Sequence, residues 1–116
     1  MPFDEVVAAR VRSEMADLPG YSERKMFGGV CFMINGNMCC GVVRDELMLR
    51  LGNDLAGEAL DEPHTRPMDF TGKPMKSMIY VEPEGFAAKP GLQYWVKKAV
   101  DFARTLPPKK RLTPDT

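Results

Sequence analysis

Between residues 3 and 18 the apolar residues Phe3, Val6, Val7, Val11, Met15 and Leu18 recur at intervals of three and four, the spacing that predicts an amphipathic helix. Asp4, Glu5, Arg10, Arg12, Glu14 and Asp17 fall mostly between them and form the solvated side, with the early acids near the positive end of the helix dipole. Pro19-Gly20 ends this segment, and the pattern then changes from helical to extended. Residues 26–34 are apolar and β-prone, Asn35-Gly36 is the dipeptide favoured by a tight hairpin turn, and residues 38–44 form the return strand. Asp45-Glu46 predicts a second reversal into residues 47–51, closed by Gly52. The expected unit is a three-stranded antiparallel meander.

Beyond the meander, Asn53 or Asp54 offers a cap for a short helix through Leu60. Residues 61–74 contain three prolines, one glycine and His64, which reads as a loop with room for a short strand at 68–70. A further strand is expected at 77–81, ending at Pro83. Pro90-Gly91 then precedes a helix whose Leu92, Trp95, Val96, Ala99, Val100, Phe102 and Ala103 form an apolar stripe, stopped by Pro107-Pro108. This pattern predicts one α+β domain over residues 1–106, two layers thick, with an antiparallel sheet built on the meander and flanked by N- and C-terminal helices. Residues 107–116 are expected to be a mobile basic tail.

The length of 116 residues suits one core, and 16 basic against 16 acidic residues give a formal net charge of zero. There is then no global attraction to phosphate backbones, and direct nucleic-acid binding is expected to be weak or absent. No apolar run approaches the ~20 residues of a membrane span, and the first residues lack the basic start of a signal peptide. A cytoplasmic location is the expectation. Three cysteines, two of them adjacent, do not suggest a disulfide scaffold, and one histidine without a Cys-x-x-Cys pair leaves no zinc spacing. Neither a metal nor a cofactor is expected.

Cys39 or Cys40 with His64 is a nominal nucleophile and base, but both thiols sit in an apolar strand where core packing is expected. Gly72-Lys73 runs into Pro74 and lacks the frame of a phosphate loop, and no Gly-x-Gly-x-x-Gly opens a βαβ unit. No catalytic residue is assigned. The basic residues Arg24, Lys25, Arg66 and Lys73, with His64 and Lys76 nearby in sequence, could converge on an anion or be ordinary surface charges.

Side-chain alternation places Cys31, Met33, Met38, Cys40, Val42, Leu47, Leu49 and Leu51 on one sheet face, under the helices. The other face then shows Val30, Phe32, Ile34, Cys39, Val43 and Met48. A two-residue Asn35-Gly36 turn would set Cys31 opposite Cys40 as free thiols, whereas another turn geometry would pair Met33 with Cys40. The second face needs a cover. A homodimer or protein partner held by Val30, Phe32, Ile34, Val43 and Met48 would supply one. The last helix or the 61–74 loop folding across it would supply another and leave a monomer.

Arg24-Lys25-Met26-Phe27-Gly28-Gly29 resembles the signature of the TfoX (Sxy) N-terminal domain family. Leu49-Arg50-Leu51, Gly72-Lys73-Pro74-Met75, Met78-Ile79-Tyr80-Val81-x-Pro83 and the helix with Trp95-Val96 and Ala99 follow in the family's order, so the resemblance covers about residues 5–106. It implies a two-layer α+β fold similar to secretion-chaperone-like domains, and a non-enzymatic regulatory or interaction role linked to bacterial competence or transcriptional regulation. The family's full-length regulators add a C-terminal helical domain, for which no length is expected after Pro107-Pro108. Some members are labelled RNA methyltransferase-like, without a cofactor motif here to match. Physically, Gly28 and Gly29 allow a bulge or close backbone approach at a strand start, with Met26 and Phe27 as core anchors. The alternative role is a small-molecule or nucleotide-phosphate binding domain, with or without catalysis, using Arg24, Lys25, Arg66 and Lys73.

Overall fold

The Asp4 carboxylate accepts hydrogen bonds from the backbone N–H groups of Val6 (2.9 Å) and Val7 (3.2 Å) and so starts helix α1, Glu5–Met15. The helix is shorter than its apolar spacing suggests. Phe3 instead forms a parallel bridge with Arg44, and Val7, Ala8, Val11 and Met15 face the core while Val6 is 70% exposed. The computed structural model describes residues 3–26, 28–70 and 73–108, with the side chains of 26, 69–70 and 73–75 outside that description. Of the expected mobile tail at 107–116, residues 109–116 also lie outside the described residues.

Six strands follow: β1 Tyr21–Met26, β2 Gly29–Ile34, β3 Asn37–Val43, β4 Glu46–Arg50, β5 Thr65–Phe70 and β6 Lys73–Val81. They form one antiparallel sheet in the order β1-β2-β3-β4-β6-β5. Helix α2, Asn53–Ala59, joins β4 to β5, and helix α3, Lys89–Thr105, closes the chain's described part after a short 3-10 turn at Pro83–Gly85. Gly52, not Asn53 or Asp54, occupies the α2 N-cap. Pro90 lies inside the first turn of α3, where its missing N–H removes no intrahelical bond.

Two strands exceed the sequence reading. β1 is an outer strand with exposed Ser22, Glu23, Arg24 and Lys25, the charged composition that discourages further strand addition. β5 takes up half of the expected loop, and as the opposite edge strand it tolerates Pro67. The Arg24–Gly29 motif therefore spans a hairpin in which Met26 pairs with Gly29. Gly28 has φ +73° in the turn, and a Cβ on Gly29 would collide with the Val42 carbonyl. Close backbone approach is thus why glycine stands at 29. Whether Met26 and Phe27 anchor the core lies outside the described residues.

The Asn35-Gly36 turn forms as expected, with both residues at positive φ and Ile34 paired to Asn37. The next turn is Arg44-Asp45, one residue earlier than expected, since Val43 pairs with Glu46. Between them a β-bulge shifts the register: Met33 pairs with Met38 but Phe32 pairs with Cys40, leaving Cys39 as the extra residue. One inserted residue inverts the facing of everything beyond it on β2. Val30, Phe32 and Ile34 consequently lie in the main core with the helices, and Cys31 lies on the opposite side, across from Gly41 and not Cys40. The expectation that these three apolar residues form an interface is corrected on that ground. The assignment of Cys40, Val42, Leu47, Leu49 and Leu51 to the helix side stands.

Candidate interaction face

The three helices of the described residues pack on one face of the sheet. Val7, Ala8, Val11 and Met15 of α1, Ala56 and Ala59 of α2, and Leu92, Trp95, Val96, Ala99, Val100 and Ala103 of α3 share one cluster with the inward residues of the sheet. A second cluster, on the other face, contains Cys31, Met48, Met68, Met78 and Tyr80, with half-buried Met38 and Val43 packed against it. It takes no residue from any helix. Met33, paired with Met38, lies on this side by register and is half-buried.

On this face the Met48 thioether reaches sideways over a neighbouring strand. Gly41 on β3 stands between Cys31 on β2 and Met48 on β4, and a Cβ there would sit 2.7 Å from the Met48 methyl and 2.6 Å from the Val30 carbonyl oxygen. The glycine leaves a gap that the flexible Met48 side chain fills. At the β5 edge, the Arg66 guanidinium lies 4.4 Å from the Tyr80 ring centre, a cation–π geometry. It also donates two hydrogen bonds to Glu46, from Nε to Oε2 at 2.8 Å and from Nη2 to Oε1 at 2.5 Å. Arg44 adds a longer contact of 3.3 Å to Oε1. Glu46 is the one buried charged residue among the described residues, at 7% exposure. Its carboxyl is held below the usual range, chiefly by the Arg66 hydrogen bonds, and Arg66 is raised in return.

The four anticipated anion-binding residues do not come together. Arg24 and Lys25 are on β1 and Arg66 is on β5, the two opposite edges of the sheet. Five interstrand spacings amount to about 24 Å. Arg24 pairs with Cys31 and Lys25 with Val30, so neighbours in sequence point to opposite faces. Arg66 is engaged by Glu46 and Tyr80, and the Lys73 side chain lies outside the described residues. An open hollow of about 370 Å³ is lined by Phe3, Asp4, Glu5, Val6 and Arg44, with none of the four.

Neither do the cysteines form a nucleophile with His64. Cys31, Cys39 and Cys40 are free and fully buried, whereas His64 is exposed at a turn with φ +67°. Burial pushes the Cys31 thiol up, and hydrogen bonding with Cys39 together with burial pushes Cys40 well above its ordinary value. Both are protonated thiols at neutral pH, poor nucleophiles. Among the described residues, no three His, Cys, Asp or Glu side chains gather as an ion site, and no helix is long and apolar enough to cross a membrane.

Sequence reasoning missed Glu46, read as a turn residue, and the roles of Met68, Met78 and Tyr80. One signal was present: nine methionines in 116 residues. Those at 33, 38, 48, 68 and 78 share the helix-free side. The family model described as the TfoX N-terminal domain matches residues 13–103, from the last turn of α1 to the last turn of α3. No curated protein and no solved structure matches.

Proposed function

Since the chain belongs to the TfoX N-terminal domain family, we propose that it is a non-enzymatic regulatory or interaction domain of the competence-regulator kind, working in a bacterial cytoplasm. It assembles with a second copy of itself through the helix-free face of its sheet. The observation that carries this reading is the asymmetry of the sheet: three helices of the described residues on one side, and on the other a methionine cluster bordered by half-buried Met38 and Val43, with half-buried Met33 on the same side by register.

Methionine adapts to the shape of what it meets, which suits a contact surface. A zero formal charge means that two copies do not repel at long range. A two-fold pair is also the commonest homo-oligomer. Protonated thiols, a Glu46 carboxylate engaged by arginines and basic residues at opposite sheet edges all favour a role without catalysis. Free thiols fit a reducing compartment. The test is the mass of the chain in solution at micromolar concentration. Two chains are expected, and a mass of one chain overturns the reading.

A further inference from the structure

Two sulfur atoms meet inside the helix-backed core, and a third belongs to the residue next in sequence. Adjacent residues of a regular strand point to opposite faces, but the bulge at Cys39 turns Cys39 and Cys40 to the same side, into one cluster with Met15. The Cys40 Sγ lies 3.5 Å from the Met15 Sδ, and Cys39, the adjoining residue of the bulge, belongs to the same buried cluster. All three residues have no exposed surface.

We propose that Met15, Cys39 and Cys40 form an all-sulfur site for a soft monovalent ion of the cuprous class. Thiolate and thioether donors select soft ions, and the trio offers no side-chain oxygen or nitrogen to a hard one. Neutrality fits the apolar surroundings. On binding, one thiol loses its proton to solvent as the metal–sulfur bond forms, so thiolate and ion cancel in charge. The thioether donates a lone pair as the second ligand, and the second thiol keeps its proton and donates a hydrogen bond to the thiolate sulfur. No electron is transferred. Met15 is the last residue of α1 and is followed by exposed Ala16 and Asp17, so fraying of that final turn opens the way in. Cys31, on the opposite sheet face, is an internal control.

The probe is Ag(I), redox-inert, added in chloride-free buffer to the full chain and followed by native mass spectrometry and thermal melting. The expected result is one ion bound and one proton lost per folded chain, with a raised melting temperature. Cys31→Ala retains this binding. Cys39→Ala and Cys40→Ala each weaken it by roughly a hundredfold, the upper scale for lost support at metal sites. If either thiol variant fails to fold, Met15→Leu, which conserves volume, decides, with an expected loss of about tenfold. No ion on the folded wild type, a lowered melting temperature, loss of binding in Cys31→Ala, or a folded Met15→Leu that binds as wild type would overturn the proposal.

Discussion

The two faces of this sheet are closed by different chemistry. On the helix side, Val30, Phe32, Ile34, Val42, Leu47, Leu49, Leu51, Ile79 and Val81 meet the apolar stripes of three helices. Branched and aromatic side chains of defined shape fit there, because a second layer supplies complementary shape. On the other side Met48, Met68 and Met78, with Cys31 and Tyr80, are 0–8% exposed although no helix among the described residues contributes to their cluster. Long unbranched side chains lie across neighbouring strands, as Met48 does over Gly41. A face without a helix layer is thus left to flexible side chains, which adapt to what they meet and lack the shape specificity that the helix side possesses.

The largest expected effect separates the two sides. Phe32→Asp buries a carboxylate at a fully buried position on the helix side, and the chain should lose roughly 4 kcal/mol or more. That is much of a typical domain's stability. Circular dichroism is expected to show an unfolded chain at 25 °C; a folded Phe32→Asp would contradict the register set by the bulge.

A smaller loss is expected on the methionine side. At Gly41→Ala the Met48 methyl can move away but the Val30 carbonyl cannot, so urea unfolding should show a loss of about 1–3 kcal/mol with the fold retained. An unchanged midpoint would mean that the Val30 carbonyl does not crowd position 41.

The smallest effect belongs to the polar edge of that face. Arg66→Ala removes the main partner of Glu46, and because Arg66 is partly exposed the cost at neutral pH is about 1 kcal/mol. The Glu46 pKa is lowered by folding, so its contribution is present above the unfolded carboxylate value of about 4.3 and is lost as pH falls through the lower native value. Glu23, held down chiefly by its hydrogen bond with Arg12, contributes in the same direction. Melting curves of the wild type should fall over that acid range, and those of Arg66→Ala should fall less steeply. Equal slopes would remove Glu46 from the account.

Much of the fold was legible because it depends on local patterns. Three- and four-residue spacing marked α1 and α3, and Asn35-Gly36 marked the β2–β3 turn. β1 escaped because an outer strand has little apolar alternation, and β5 because Pro67 reads as a breaker anywhere except at an edge. The bulge at Cys39 has no local sequence mark, yet it alone inverted the facing of Val30, Phe32 and Ile34. The candidate site fared worse for the same reason. Whether Arg24 and Arg66 meet depends on strand order, a long-range property, and Glu46 could not be recognised as a buried partner before β4 and β5 were placed on either side of β6.

Assembly through the helix-free face is tested most directly by light scattering at micromolar concentration on the wild type, Met33→Asp, Met38→Asp and Leu55→Asp. Met38 is half-buried at the border of the methionine cluster and Met33, its half-buried partner in register, lies on the same side, whereas Leu55 is exposed on α2, on the helix side. The predicted result is a mass of two chains for the wild type and Leu55→Asp, and of one folded chain for Met33→Asp and Met38→Asp. A wild type with the mass of one chain, or a pair that only Leu55→Asp separates, would contradict the account.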